Sequence, residues 1–417
     1  MTAREFFRAL IADNRDGRAR GVPSWCTAHP ETLEAVLAAH RDSDAPVLIE
    51  ATCNQVNQQG GYTGLNPAGF RGFVEGLAAK ADVDPRRILF GGDHLGPNPW
   101  KALPARQAMA NARDMVKAYV EAGFLKIHLD ASMACADDGA LREAEIARRA
   151  AELCAVAESV GPKDLVYVVG TEVPIPGGEL QALDKLGVTP PEAASRTFEL
   201  HRVAFAEAGI LGALDKVIAL VVQPGVDMSN EQVFAYDRAK AARLSRAILE
   251  IPGVVYEAHS TDFQSEQALT DLVSDHFAIL KVGPSLTFAF REAAFGLAAI
   301  EDRLELTPRS NVVAALEHAM DVSPAQWRPY VAADGRDRLT RLYGLSDRIR
   351  YYWPEAHVVA ALKRLRSNVD AASIPAGLVS QFAGAMFLDG GEEKLSTRVI
   401  RAKVGAVVAK YRRAARA

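Results

Sequence analysis

The sequence predicts a (β/α)8 TIM barrel with a C-terminal helical extension, and three observations predict it. Short apolar runs of strand character alternate with stretches of helical period, the alternation closes at eight, and the runs end in ionisable or amide side chains. Loops converge at the strand ends of such a barrel, which is where ligands bind. An open doubly wound sheet is the alternative, and the count of eight favours the closed form.

The stretch that organises the chain is ILFGGDHLGPNPW, Ile88 to Trp100. Its apolar run ends in two glycines, then presents Asp93 and His94 side by side before a Gly-Pro-Asn-Pro turn that cannot continue a strand. The strand predicted over Ile88 to Gly92 therefore stops where a carboxylate and an imidazole begin. The other predicted strands are Val22 to Cys26, Val47 to Thr52, Lys126 to Leu129, Leu165 to Val169, Lys216 to Val222, Val254 to Tyr256 and Ala278 to Val282. From about Thr307 only helical patterns remain. The chain has 417 residues and a barrel typically needs about 250, so residues 1–305 are assigned to the barrel with its N-terminal helix and 306–417 to a helical extension packed on it.

Taken in order, a charged amphipathic helix over Ala3 to Asp13 is placed at the barrel bottom. The first strand delivers Cys26 and His29; Cys26 could be a thiolate nucleophile, but packing is the favoured reading because cysteine is among the most buried residue types. The second strand runs into a loop carrying Glu50, Asn54, Gln55, Asn57, Gln58 and Gln59, with Gly60 and Gly61. Side-chain amides both donate and accept, which suits a polyol. The fourth strand sets His128 and Asp130 on one face, because side chains two apart share a side. Glu172 follows the fifth strand, Gln223 the sixth, and Glu257 and His259 share a face at the seventh. Lys281 and the turn Gly283-Pro284-Ser285 end the eighth. With Ser260 and Thr261 they occupy the place where barrels hold phosphate on backbone N–H groups, so a phosphate is expected there. In the extension, LSDRIRYYWP concentrates Arg348 and Arg350 among aromatics, which fits either a phosphate clamp over the mouth or an interface.

Composition narrows the class. Hydrophobic content of 49% and charged content of 24% fit a soluble protein with a large core, and a net charge of -4 gives no electrostatic case for nucleic acid. No run reaches the roughly 18 apolar residues of a membrane span, and the first residues lack a signal peptide's apolar core. The four cysteines show no CxxC spacing, so reduced thiols in a cytoplasmic protein are expected.

Imidazoles and carboxylates from separate strand ends have the composition of a divalent metal site with acid–base partners. His94, Glu172 and His259 are the candidate ligands, and Asp93, Glu172 and Asp130 the candidate acid–base groups. Asn54, Gln55, Asn57, His128, Gln223, Lys281, Ser260, Ser285, Arg348 and Arg350 are the candidate substrate contacts. Zinc heads the expected metals, ahead of manganese, cobalt, nickel or magnesium. A Schiff-base aldolase using Lys281 is the second chemistry, ranked below the metal reading.

The blocks SWCTAHP, LIEATCNQVNQQGGYTG, GGDHLGPNPW, KIHLDASMACADD, VVGTEVPIPGGE, YEAHSTD, AILKVGPSLTFAFREA and LSDRIRYYWP together resemble the GatZ/KbaZ family, from about Gly21 to Gln381. That family is described as the non-catalytic or chaperone-like subunit of class II D-tagatose-1,6-bisphosphate aldolase. Members have also been labelled tagatose-6-phosphate kinases, an activity not expected here because the sequence has no GxxxxGK[ST] loop. Its wider kin are metal-dependent class II aldolases. Their catalytic Asp and metal-binding His resemble Asp93-His94, and their metal His near strand seven resembles His259. The third ligand departs: those aldolases carry a His after a GT-containing strand where this chain reads GTEVP, giving Glu172. The resemblance implies one of two functions. One is a metal-dependent ketohexose-phosphate aldolase or D-tagatose 6-phosphate 4-epimerase; the other is a partner that stabilises a separate aldolase subunit. A homo-oligomer is expected in either case.

Overall fold

Eight parallel strands close on themselves in the computed structural model of this chain, which describes residues 2–170, 186–331, 335–384 and 392–416. They are β1 (Val22–Cys26), β2 (Val47–Thr52), β3 (Ile88–Leu95), β4 (Lys126–Leu129), β5 (Val166–Val169), β6 (Val217–Val222), β7 (Val255–Ala258) and β8 (Phe277–Val282). Pairing of Val22 with Ile279 and Trp25 with Val282 joins the first strand to the last, so the expected barrel is present.

Alternation along the strands sorts side chains into layers. Val22, Leu48, Leu89, Val166, Ile218, Val255 and Ile279 form an apolar floor, and the N-terminal helix Ala3–Asp13 seals it from below with Phe6, Phe7, Leu10 and Ile11. A capping box starts that helix: Glu5 N donates to Thr2 Oγ1 at 3.2 Å, and Thr2 N donates to Glu5 Oε2 at 2.8 Å. Two residues further along the same inward faces come Glu50, Gly91, Glu257 and Lys281, with Lys126 on the neighbouring strand. Lys126 and Lys281 thereby enter the interior among carboxylates, above the hydrocarbon.

The third strand departs from expectation in an informative way. It continues through Asp93 and His94 to Leu95, and its register with β4 slips between Gly92 and Leu95. His94 takes φ +50°, a left-handed conformation unusual for a residue with a β-carbon. Strict alternation would send Asp93 and His94 to opposite sides, whereas the bulge turns both into the mouth. Gly91 is required beneath them, since a β-carbon there would stand 2.6 Å from Glu50 Oε1.

The outer layer is completed from far along the chain. The helix after β8, Pro284–Arg303, is packed outside Leu395–Ala415, and the latter lies between Pro30–Ala38 and Glu266–Ser274 and against β1. Tyr411 meets Trp25 edge to face at 5.8 Å, Gly21 N donates to Ala415 O at 2.9 Å, and Arg401 and Arg413 pair with Glu34 and Glu266 at 2.9 and 2.7 Å. No helix among the described residues is long and apolar enough to cross a membrane.

Candidate active site

Three imidazoles meet at the C-terminal end of the barrel. The His94, His128 and His259 rings lie 4.9 to 5.3 Å apart, centroid to centroid, and all three are buried. One ligand atom from each, with one from Asp93, falls within 4.8 Å of the others. Every ring has one nitrogen beside a carboxylate: His94 Nδ1 is 2.8 Å from Asp130 Oδ2, His128 Nδ1 is 3.0 Å from Asp93 Oδ1, and His259 Nε2 is 2.9 Å from Glu257 Oε1. Carboxylates placed this way fix ring orientation and leave the second nitrogen for a metal. His128 Nε2 is buried with no hydrogen-bond partner, a costly state for an imidazole unless something else takes it up.

Beneath the imidazoles lies a buried ion network. Lys126 Nζ is 2.6 Å from Glu50 Oε1 and 2.7 Å from Glu257 Oε2, while Lys281 Nζ bonds Glu50 and lies 3.0 Å from Asp93 Oδ2. Three carboxylates, Glu50, Asp93 and Glu257, thus face two ammonium groups, and a fourth, Asp130, faces His94. Neutral imidazoles would leave the cluster two negative charges in excess, and Asp93 and Asp130 accordingly favour a positive charge at His94. The donor set of three imidazoles and a carboxylate fits a divalent cation, which would bring positive charge to the place where His94 otherwise favours a proton.

The titration tendencies follow from the neighbours. Burial opposes charge on Asp93, yet His94 and Lys281 outweigh it and hold this carboxyl well below its ordinary range. For His94 burial pulls the pKa down, while Asp93 and Asp130 raise it further. His259 is pushed down to about 4, mainly by burial, and so is neutral at pH 7. Lys281 is held well above the ordinary lysine value because Asp93 and Glu50 overcome burial. A charged, doubly paired ammonium is a poorer nucleophile than a free amine, which keeps the Schiff-base reading below the metal one. Burial raises the Cys26 thiol, which lies at the cavity wall 3.7 Å from Asp93 Oδ2.

Lys126→Met leaves Glu257 with His259 alone and removes one of two cations from Glu50. The expected loss is about 3–5 kcal/mol of stability, the scale for breaking a buried ion pair. Urea unfolding followed by circular dichroism measures it, and a loss under ~1 kcal/mol would contradict the paired-charge account.

Above the imidazoles opens a cavity of about 490 Å³. Asn54, Gln55, Asp93, His94, His259, Ser260, Lys281 and Arg350 line it, as do Tyr351 and Trp353 from the aromatic stretch of the extension. Tyr62 and Phe73, which sequence reasoning did not single out, complete the wall. Other expected contacts lie elsewhere. Asn57 is turned into its own loop, donating to Cys53 O and accepting from Gln59 N and Gly61 N. Gln223 Oε1 accepts from Gly225 N and Val226 N, bracing the turn after β6. Arg348 lies 3.6 Å over the Tyr330 ring and 4.7 Å over the Tyr351 ring and donates to Gln326 O, behind the residues that line the cavity. The expected phosphate cradle holds a protein group: Gly283 N, Ser285 N and Ser285 Oγ all donate to Asp262 Oδ1, at 3.0, 2.8 and 2.7 Å. His128 sits behind the cavity wall as the third imidazole. Glu172 lies outside the described residues.

A closed parallel barrel with ionisable strand ends around one cavity defines a (β/α)8 protein laid out as such folds are for ligand chemistry. The chain belongs to the family of D-tagatose-1,6-bisphosphate aldolase subunits described as GatZ/KbaZ-like, whose model matches residues 7–416. It is similar to the crystal structure of a probable tagatose 6 phosphate kinase from Sinorhizobium meliloti 1021, at 47% identity, covering 95% of this chain and 100% of that one with a TM-score of 0.86. A fructose-bisphosphate aldolase from Campylobacter jejuni aligns at 13% identity over 88% of this chain and 92% of that one, TM-score 0.46. The YdjI aldolase from Escherichia coli K12 aligns at 14% over 87% and 96%, TM-score 0.40. Neither of these two distant alignments bears on chemistry.

Proposed function

We propose that this chain is a metal-dependent enzyme of ketohexose phosphates, of aldolase type, that interconverts D-tagatose 6-phosphate and D-fructose 6-phosphate. The observation that carries the reading is the three imidazoles, each held by its own carboxylate, beside a buried ionised Asp93. Among the described residues His94, His128 and His259 would hold the ion, zinc by ligand type, and the expected ligand Glu172 lies outside them. When bound, a divalent metal supplies Lewis-acid polarisation of the ketone.

The chain's own groups supply the rest. Asp93 takes the proton from the sugar's C4 hydroxyl as the C3–C4 bond opens and returns it when the bond recloses on the other face of the aldehyde. Lys281, 3.0 Å from Asp93, keeps that carboxylate charged between turns. Asn54 and Gln55 face the cavity as donors and acceptors for sugar hydroxyls, and Tyr62, Phe73, Tyr351 and Trp353 keep water from the opened fragments. Arg350 provides a guanidinium for phosphate.

Purified protein given D-tagatose 6-phosphate and zinc, cobalt or manganese is expected to form D-fructose 6-phosphate without a second subunit. No conversion alone, with stimulation of a co-expressed aldolase, would instead establish a supporting subunit.

A further inference from the structure

We infer that Asp262 is a specificity-determining residue that closes the cavity to a second phosphate, so that the site takes a sugar monophosphate and rejects the bisphosphate. This rests on the ketose-phosphate reading above and narrows its substrate class.

Backbone N–H groups after the last strand of a barrel commonly hold a phosphate. Here those donors already serve Asp262, whose Oδ1 accepts from Gly283 N, Ser285 N and Ser285 Oγ. The side chain is 2% exposed and forms part of the cavity wall, so it meets whatever enters. A phosphate arriving at this turn would have to expel a carboxylate bonded three times or lie against it, like charge to like charge.

The charges around the cavity point the same way. Lys281 is already held by Glu50 and Asp93, and Glu31 by Arg366. Among the described residues lining the cavity, Arg350 is the permanent cation without a carboxylate within ion-pair distance. Its partners are the Ser346 and Asp347 carbonyls and the Tyr351 hydroxyl, the last at 2.9 Å. A phosphate ester carries about 1.5 to 2 negative charges near neutral pH, and one guanidinium fork suits one such group. A second ester would bring a like charge for which no further unpaired cation lines the cavity among the described residues.

Calorimetric titration of the full chain with D-tagatose 6-phosphate and with D-tagatose 1,6-bisphosphate tests the inference. The monophosphate is expected to bind at least about tenfold more tightly. Asp262→Asn keeps an oxygen acceptor on the cradle and removes the charge, while Asp262→Ser shortens the side chain; each is expected to bring the two affinities within about threefold. Equal affinities in the unaltered chain overturn the inference whether or not the variants fold, as does an unchanged ratio in variants with native circular dichroism. Monophosphate preference without turnover keeps the role of Asp262 and removes the proposed activity. Turnover with no preference does the reverse, and binding of neither sugar overturns both.

Discussion

Asp93→Asn is expected to lower turnover by about 10²–10⁴-fold while leaving bound metal unchanged, the range for removing a positioned acid–base group. The amide has nearly the same shape and can still accept from His128 or Lys281, now 3.0 Å from the two carboxylate oxygens. What it cannot do is take up a proton. The native carboxylate is kept ionised against the cost of burial by His94 and Lys281, so it is ready to act as a base at neutral pH. Steady-state kinetics beside elemental analysis of the same preparation separates chemistry from metal retention, and a D93N variant of normal rate removes Asp93 from proton transfer.

His94→Ala and His259→Ala should each reduce bound metal from about one equivalent to near zero and bring turnover to background. Circular dichroism should stay native, because the barrel's apolar floor and outer layer do not involve either ring. The two imidazoles come from β3 and from the residue just after β7, and each is fixed on its far side by a carboxylate, Asp130 and Glu257. Loss of one ring removes a third of the proposed nitrogen donors, while its carboxylate keeps another partner, Ser132 for Asp130 and Lys126 for Glu257. Metal content unchanged in both variants would sink the centre as assigned.

Much of this arrangement is legible in the sequence. A period of two places His128 with Asp130 and Glu257 with His259, and the eight alternations close as a barrel. Less visible is how β3 delivers two consecutive side chains to one side, since the bulge depends on pairing with β4 and on the left-handed turn at His94. Amide-rich loops suggest sugar contacts, yet Asn57 and Gln223 satisfy their own turns, where nearby unpaired N–H groups compete for them. Asp262 reaches donors 21 and 23 positions on, a pairing that no local pattern announces. Lys126 passes as an ordinary strand-entry charge, because only barrel closure shows that Glu50 and Glu257 converge on it.

The helix Leu395–Ala415 has a meaning for assembly. Glu34 and Arg401, which pair across the outer wall, are 367 positions apart, so β1 and its first helix wait through most of translation before their covering arrives. The edge-to-face contact of Trp25 with Tyr411 forms only then. Contacts between such distant segments form late and slow the closure of a fold, so the part of the chain that precedes this helix is an unfinished vessel.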